Sequence, residues 1–316
     1  MIHTVPPLPK AFVWKRLHSL AGLWLVLFLI VHLLANSQAA LFIGDSGSGF
    51  VKAVNDIHSL PYLPVIEIVL LAIPFIIHIF WGIQYLQSGE INSHKTDGRA
   101  PALPEYPRNH AYTWQRITSW ILLFLITAHV VQMRFLESPA SAAKGTETFY
   151  MTRVNADMGI YPLSERLGVT LYDTNQVAAE QEKMSKLHFD SSHVTPQELV
   201  EAQKFNQEQK WIRALTERPL QAGQVIAVSN NFGTAELLMV RESFKRPEML
   251  LLYTVLVLSA CFHAFNGLWT FCITWGVTLS VRSQKLMRIV STGLMFLITF
   301  LGLAAIWGTY WLNLKQ

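Results

Sequence analysis

The sequence predicts an all-α membrane protein: five transmembrane helices in a bundle, with a long extramembrane insert between the third and the fourth. Three observations predict it. Of the 316 residues 51% are hydrophobic and only 15% charged, well under the roughly 25% charged that is usual in soluble domains. Five apolar runs reach the ~20 residues that a helix needs to cross a hydrocarbon core, where lipid offers no partner to backbone polar groups. A polar stretch separates the third run from the fourth, which divides the chain into spans 1–3 (residues 1–135), the insert (136–247) and spans 4–5 (248–316).

The amino terminus, MIHTVPPLPKAFVWKRLHSL, places basic residues before the first run with no small-residue cleavage site after it, so that run is expected to be a retained helix. The five spans run approximately Leu17 to Asn36, Leu63 to Leu86, Trp114 to Met133, Met249 to Leu279 and Leu286 to Leu312. Short loops set the orientation, because Lys and Arg accumulate on the cytoplasmic side. Lys10, Lys15 and Arg16 precede the first span; Lys95, Arg99, Arg108 and Arg116 join the second to the third; Arg282, Lys285 and Arg288 join the fourth to the fifth. The amino terminus is therefore expected in the cytoplasm, with the insert and the carboxyl terminus outside. The loop between spans 1 and 2 carries Lys52 against Asp45 and Asp56, and His58, as suits an outside loop. In the insert, VAAEQEKMSKLHF and TPQELVEAQKFNQEQKWIRALTE read as helices outside the membrane, with His188 and His193 in solvated surroundings. No Gly-rich phosphate loop, cysteine cluster or catalytic triad occurs in it. The two cysteines, Cys261 and Cys272, share one apolar stretch and suggest neither a bridge nor a metal site. No nucleic-acid partner is expected.

Ionisable residues inside a membrane are costly, and four of the five spans carry a histidine well within: His32, His78, His129 and His263. One such histidine is commonly a helix-to-helix hydrogen bond, but four in separate spans are better explained as ligands. Histidines on facing helices are usual axial ligands where haem only transfers electrons, so four suit two bis-histidine haems, metal-binding through His32, His78, His129 and His263. Depth selects the pairs. His32 and His129 lie fifteen residues beyond Leu17 and Trp114, in the outer half; His78 lies fifteen beyond the outer end at Leu63, in the cytoplasmic half, leaving His263 as its partner. At about 1.5 Å per residue the two layers differ in depth by roughly 12 to 15 Å. Gly82 and Gly267 each follow a ligand by four residues, on its own helix face, where a missing side chain admits a flat macrocycle. Arg16, Arg116 and Arg134 sit at span ends, where guanidinium can pair with haem propionates or simply anchor the helix. His18 returns nearly to the face of His32 and reads as a histidine at the membrane boundary, bonded to backbone or headgroup, or else as a haem-edge or quinone-site residue. Glu67, near the outer end of span 2, is a candidate catalytic proton carrier for quinone chemistry, or an interfacial carboxylate facing water.

These residues sit in segments that resemble one family: the single-chain di-haem cytochrome b of menaquinone-linked succinate dehydrogenases and fumarate reductases. The segments are RLHSLAG with VHLLAN around His18 and His32, SLPYLPVIEI with HIFWGIQY around His78, WQRITSW with AHVVQMR around His129, and FHAFNGLWTFCITWGVT followed by RSQ around His263. Together they cover all five spans in order. The resemblance implies two haem b cofactors, with His32 and His129 at the distal haem and His78 and His263 at the proximal one. It also implies a cytoplasmic-face iron–sulfur subunit, a flavoprotein subunit carrying the dicarboxylate chemistry, and menaquinone as lipid substrate. The chain would then be the quinone-reactive, electron-transfer anchor of a respiratory complex II in the cytoplasmic (inner) membrane. The insert departs from the family, whose loop there is much shorter. Two other readings stay open: a di-haem quinone cytochrome of another dehydrogenase, and a membrane transporter with a histidine-lined path and no haem.

Overall fold

A computed structural model describes residues 9–89, 91–94, 103–186 and 196–315. Lys95, Arg99, His188 and His193 lie outside the described residues. Five helices among these are long and apolar enough to cross a membrane: α1 (Lys10–Ser37), α3 (Leu63–Ser88), α4 (Pro107–Leu136), α9 (Pro247–Thr274) and α10 (Val281–Lys315). Large apolar side chains point away from the protein along them, among them Ile76, Phe124 and Phe296, as lipid-facing positions require. Proline opens α4 and α9 at Pro107 and Pro247, where its missing N–H costs nothing.

The apolar run of the fourth span continues to Leu279, but α9 stops at Thr274. Gly276 adopts φ 71°, its N–H bonds the Ile273 carbonyl at 3.2 Å, and the Val277 N–H bonds that of Cys272 at 2.9 Å. This paired closure satisfies the last carbonyls around a left-handed glycine. Three spans also contain a π turn, at Ile68–Ala72, Val131–Leu136 and Ala304–Gly308. A wider turn loosens the carbonyl ladder, and the Trp24 indole N–H donates to the Leu70 carbonyl within the first of them.

The chain forms two compact units. The first comprises Met1–Leu34, Pro61–His129 and Leu252–Leu303. Within it Gly302 of α10 lies so close to α9 and α1 that an added Cβ would meet Val257 at 2.6 Å and Leu33 at 3.2 Å. Small residues at such crossings let membrane helices approach. The second comprises Ala35–Leu60, Val130–Leu251 and Ala304–Gln316.

The second unit corrects the all-α expectation. It contains a four-stranded antiparallel sheet in the order β1-β2-β4-β3, from β1 (Ala140–Lys144), β2 (Glu147–Asn155), β3 (Thr170–Tyr172) and β4 (Gln224–Ser229). β1 and β2 turn through Gly145 at φ 65°. Alternation decides the two faces: Met151, Ile226 and Val228 pack with Trp211 and Leu215 of α7 (Pro196–Thr216). Val154, Val225 and Ala227 pack with Ile160 and Leu163 of α5 (Ile160–Leu167) and Leu238 of α8 (Phe232–Ser243). A sheet covered on both faces has apolar strands, which is why QVIAVS is a strand although it shows no polar alternation. The segments expected to be helical fall on α6 (Thr174–Ser185) and α7, and the end of the first, residues 187–189, lies outside the described residues. Asp173 and Gln176 cap α6 reciprocally.

The loop after α1 holds a further helix, α2 (Ser48–His58), packed on α8. Asn55 accepts the Gly233 N–H at 2.8 Å, and a Cβ on Gly233 would lie 2.4 Å from the Val51 carbonyl. On α8, burial pushes the Glu236 carboxyl up to about 7 from its ordinary 4.5, against the pull of Arg134. The folded chain therefore holds this proton more tightly than the unfolded one. The resulting stability is complete below pH 4.5 and is lost as the pH rises through about 7. Glu236→Gln is expected to flatten that dependence and to raise thermal stability at pH 8 by on the order of 1–3 kcal/mol. Thermal unfolding at pH 5 and pH 8 measures both.

Candidate functional site

The first unit brings the four intramembrane histidines together as two pairs. His32 of α1 faces His129 of α4 with ring centroids 6.0 Å apart and planes at 76°. His78 of α3 faces His263 of α9, also at 6.0 Å, with planes at 85°. All four side chains are half-buried. Two metal–imidazole bonds of about 2.0–2.1 Å each, plus the inner half of each ring, span nearly that distance.

Three of the rings are held at Nδ1. His78 Nδ1 lies 3.2 Å from the His18 carbonyl, His129 Nδ1 lies 3.1 Å from the Tyr253 hydroxyl, and His263 Nδ1 lies 3.3 Å from the Ser119 hydroxyl. A ring whose Nδ1–H donates in this way presents its Nε2 lone pair to a metal, and the partner fixes tautomer and orientation. His32 is also engaged. Among the described residues no group of three or more His, Cys, Asp or Glu could hold a metal ion. A porphyrin needs only two protein ligands, so the paired arrangement fits haem.

The polar scaffold continues beyond the ligands. Gln115 donates to the His263 carbonyl at 3.1 Å and accepts from Asn266 at 2.8 Å, tying α4 to α9. Gly82 and Gly267 leave room: the nearest atoms to an added Cβ are His18 Nε2 and Gln115 Nε2, each at 3.9 Å. Gly22, which the sequence did not single out, is tighter, its added Cβ falling 2.9 Å from His78 Cε1. His18 stacks on His78 with centroids 4.3 Å apart and planes at 9°.

The arginines have local partners. Arg16 lies over the rings of Phe12 and Trp275, at 4.7 and 5.3 Å. Arg116 donates to the Tyr85 and Leu86 carbonyls, the last turn of α3, where a cation also meets the negative end of the helix dipole. Arg134 lies in the second unit near Glu236. Glu67 is half-buried and directly precedes the π turn of α3. In the second unit His58 stacks on Phe232 at 3.9 Å and Lys52 pairs with Asp56 at 3.6 Å, an exposed pair on one helix.

With these pairs in place, comparison with known proteins becomes informative. The chain is similar to the succinate dehydrogenase cytochrome b558 subunit of Bacillus subtilis (strain 168), 24% identical over 298 residues, or 94% of this chain and 96% of that one. This is the type of protein that the histidine-bearing segments resemble. No protein-family model matches the chain, and no solved structure does. The apolar helices together with this similarity make it a multi-pass membrane protein.

Two signals for the site's supporting residues were present in the sequence. Gln115 and Ser119 lie in WQRITSW, and Gly22 lies in RLHSLAG. Tyr253 had none, standing as one aromatic in a long apolar run.

Proposed function

We propose that this chain is the membrane-anchoring cytochrome b subunit of a succinate dehydrogenase or fumarate reductase. It passes electrons through two b haems between a cytoplasmic iron–sulfur subunit and menaquinone, while a flavoprotein subunit carries the dicarboxylate chemistry. The observation that carries this reading is the pair of histidine pairs: 6.0 Å between centroids in both, on four different helices. The relative's name adds the kind of complex. The amino terminus lies in the cytoplasm, and the insert of residues 136–247 and the carboxyl terminus lie outside.

Bound haem supplies one reversible electron at each layer. His32 and His129 would hold the outer group, His78 and His263 the inner one, each through Nε2. The hydroxyls of Tyr253 and Ser119 and the carbonyl of His18 keep three rings oriented. Gly82 and Gly267 would leave room for the macrocycle, and the span-end arginines Arg16, Arg116 and Arg134 would supply positive charge for its propionates. Glu67 would carry protons to and from the quinone oxygens.

Purified chain is expected to contain two b haems per polypeptide by pyridine haemochrome analysis, with a reduced-minus-oxidised difference spectrum. One haem or none would overturn the reading, and none would favour a transporter.

The ring partners make a finer prediction. When Nδ1–H of a ligating histidine donates to Tyr253, the imidazole becomes more electron-rich and favours ferric iron. Tyr253→Phe is expected to raise the midpoint of the outer haem by on the order of tens of millivolts, the scale of one net hydrogen bond, with the inner haem unchanged. Potentiometric titration of the two centres measures it.

A further inference from the structure

The second unit contains a buried positive charge that the electron-transfer reading does not use. Arg241 on α8 is 3% exposed, and its guanidinium Nε and Nη1 are buried with no hydrogen-bond partner. Such a group is costly unless an anion meets it. It lines a cavity of about 170 Å³ with Phe42, Ser46, Gly47, Arg166 and Leu312, several times the ~30 Å³ that one water occupies. Arg166 stands close enough to push the Arg241 pKa down further, after burial itself. Asp45 opposes that shift, but its carboxylate already accepts the Gly47 N–H at 2.8 Å and the Ser48 hydroxyl at 3.0 Å. Asp157 and Glu242, on a smaller cavity that Arg241 also lines, are engaged by Lys245 at 2.6 and 2.8 Å.

Left-handed backbone shapes the loop across the cavity. Gly44, Ser46 and Gly47 have φ of 100°, 57° and 80°, and Gly47 is the N-cap of α2 without a side-chain acceptor. Within the loop the Gly47 N–H is taken by the Asp45 carboxylate and the Ser48 N–H by the Asp45 carbonyl, so the side chains of Arg166 and Arg241, and not these amides, are what the cavity offers an anion. Arg166 Nε reaches the Ser46 hydroxyl at 3.2 Å, which holds its guanidinium at the rim.

The position identifies the source of the anion. The loop begins directly after Ser37, the last residue of the first span, and Leu312 belongs to the last turns of the fifth. Phe42 and Ile43, 57% and 77% exposed, project from the same loop as apolar side chains do at the headgroup boundary. We propose that Arg166 and Arg241 bind the phosphate of an anionic phospholipid, with Phe42 and Ile43 dipping beside its acyl chains. Two guanidinium groups match phosphate bidentately and favour a headgroup with net negative charge.

The test is native mass spectrometry of the full-length chain in mild detergent, titrated with phosphatidylglycerol, with phosphatidylcholine, and with inorganic phosphate alone. The wild type is expected to retain one phosphatidylglycerol at least tenfold more strongly than phosphatidylcholine. Arg241→Gln and Arg166→Glu are each expected to lower that retention about tenfold or more, the scale of a charge-assisted hydrogen bond. Arg166 is exposed, so its variant reports on the site even where loss of Arg241 prevents folding. Unchanged phosphatidylglycerol retention in Arg166→Glu overturns the site. Inorganic phosphate bound as tightly as the lipid assigns the site to free phosphate and overturns the lipid.

Discussion

Replacing His32 or His129 with alanine is expected to remove one haem and spare the other, and replacing His78 or His263 to do the reverse. Each pair draws on its own two helices, α1 with α4 and α3 with α9, and no ring serves both. Without one of its two histidines a bound haem would keep a single bond to the protein, so haem content should fall from two per chain to one. His18→Ala is the control. His18 stacks on His78 but belongs to neither facing pair, and its contact with His78 Nδ1 runs through the backbone carbonyl, which alanine keeps. Both haems should survive. The plane angles give a second readout: held at 76° and 85°, the two imidazoles of a pair would donate into different d orbitals of a bound iron. Those orbitals would stay nearly degenerate, so each ferric centre should give a highly anisotropic low-spin resonance, and each substitution should delete one of the two. Losses that pair the histidines differently would sink the arrangement.

How much of this was legible follows from the kind of signal each feature leaves. The spans were legible because lipid imposes one requirement, length with apolarity, on every residue of a crossing helix. The pairing of the four histidines was legible as depth, since a fixed rise per residue turns sequence position into height. The end of α9 was not, because hydropathy runs on through Gly276 while the backbone turns there. Nor was the sheet of the insert: its edge strands are short, and β4 is apolar on both faces because helices cover both. The role of Tyr253 depends on the rotation of α9 against α4, which no spacing within one helix encodes. Arg241 looks in sequence like any basic residue near a helix end, and only the fold shows that it is buried.

Collapse of the membrane potential is expected to change succinate-to-quinone turnover in proteoliposomes, and Glu67→Gln to slow quinone turnover while both haems remain. An iron–sulfur partner on the cytoplasmic face would meet the His78–His263 layer first, and the His32–His129 layer would be needed only if the quinone lies beyond it. Electrons would then cross most of the hydrocarbon core. One charge moved through the full potential changes free energy by about 2.3 kcal/mol per 100 mV, roughly fiftyfold in an equilibrium between carriers of similar midpoint. The sign follows from direction: with the interior negative, electrons moving outward are driven by the potential, so uncoupling slows succinate oxidation and favours the reverse. Glu67 belongs to the same end. It lies four residues after Leu63, where α3 begins, and next to the π turn at Ile68–Ala72, whose looser carbonyls can share protons or water with a carboxylate. Glutamine keeps the shape and hydrogen bonding but cannot carry a proton, so the loss should appear in quinone turnover and be absent from the haem spectrum. Turnover indifferent to the potential, with quinone bound beside the His78–His263 layer, would place the reaction on the cytoplasmic side and leave Glu67 an interfacial carboxylate.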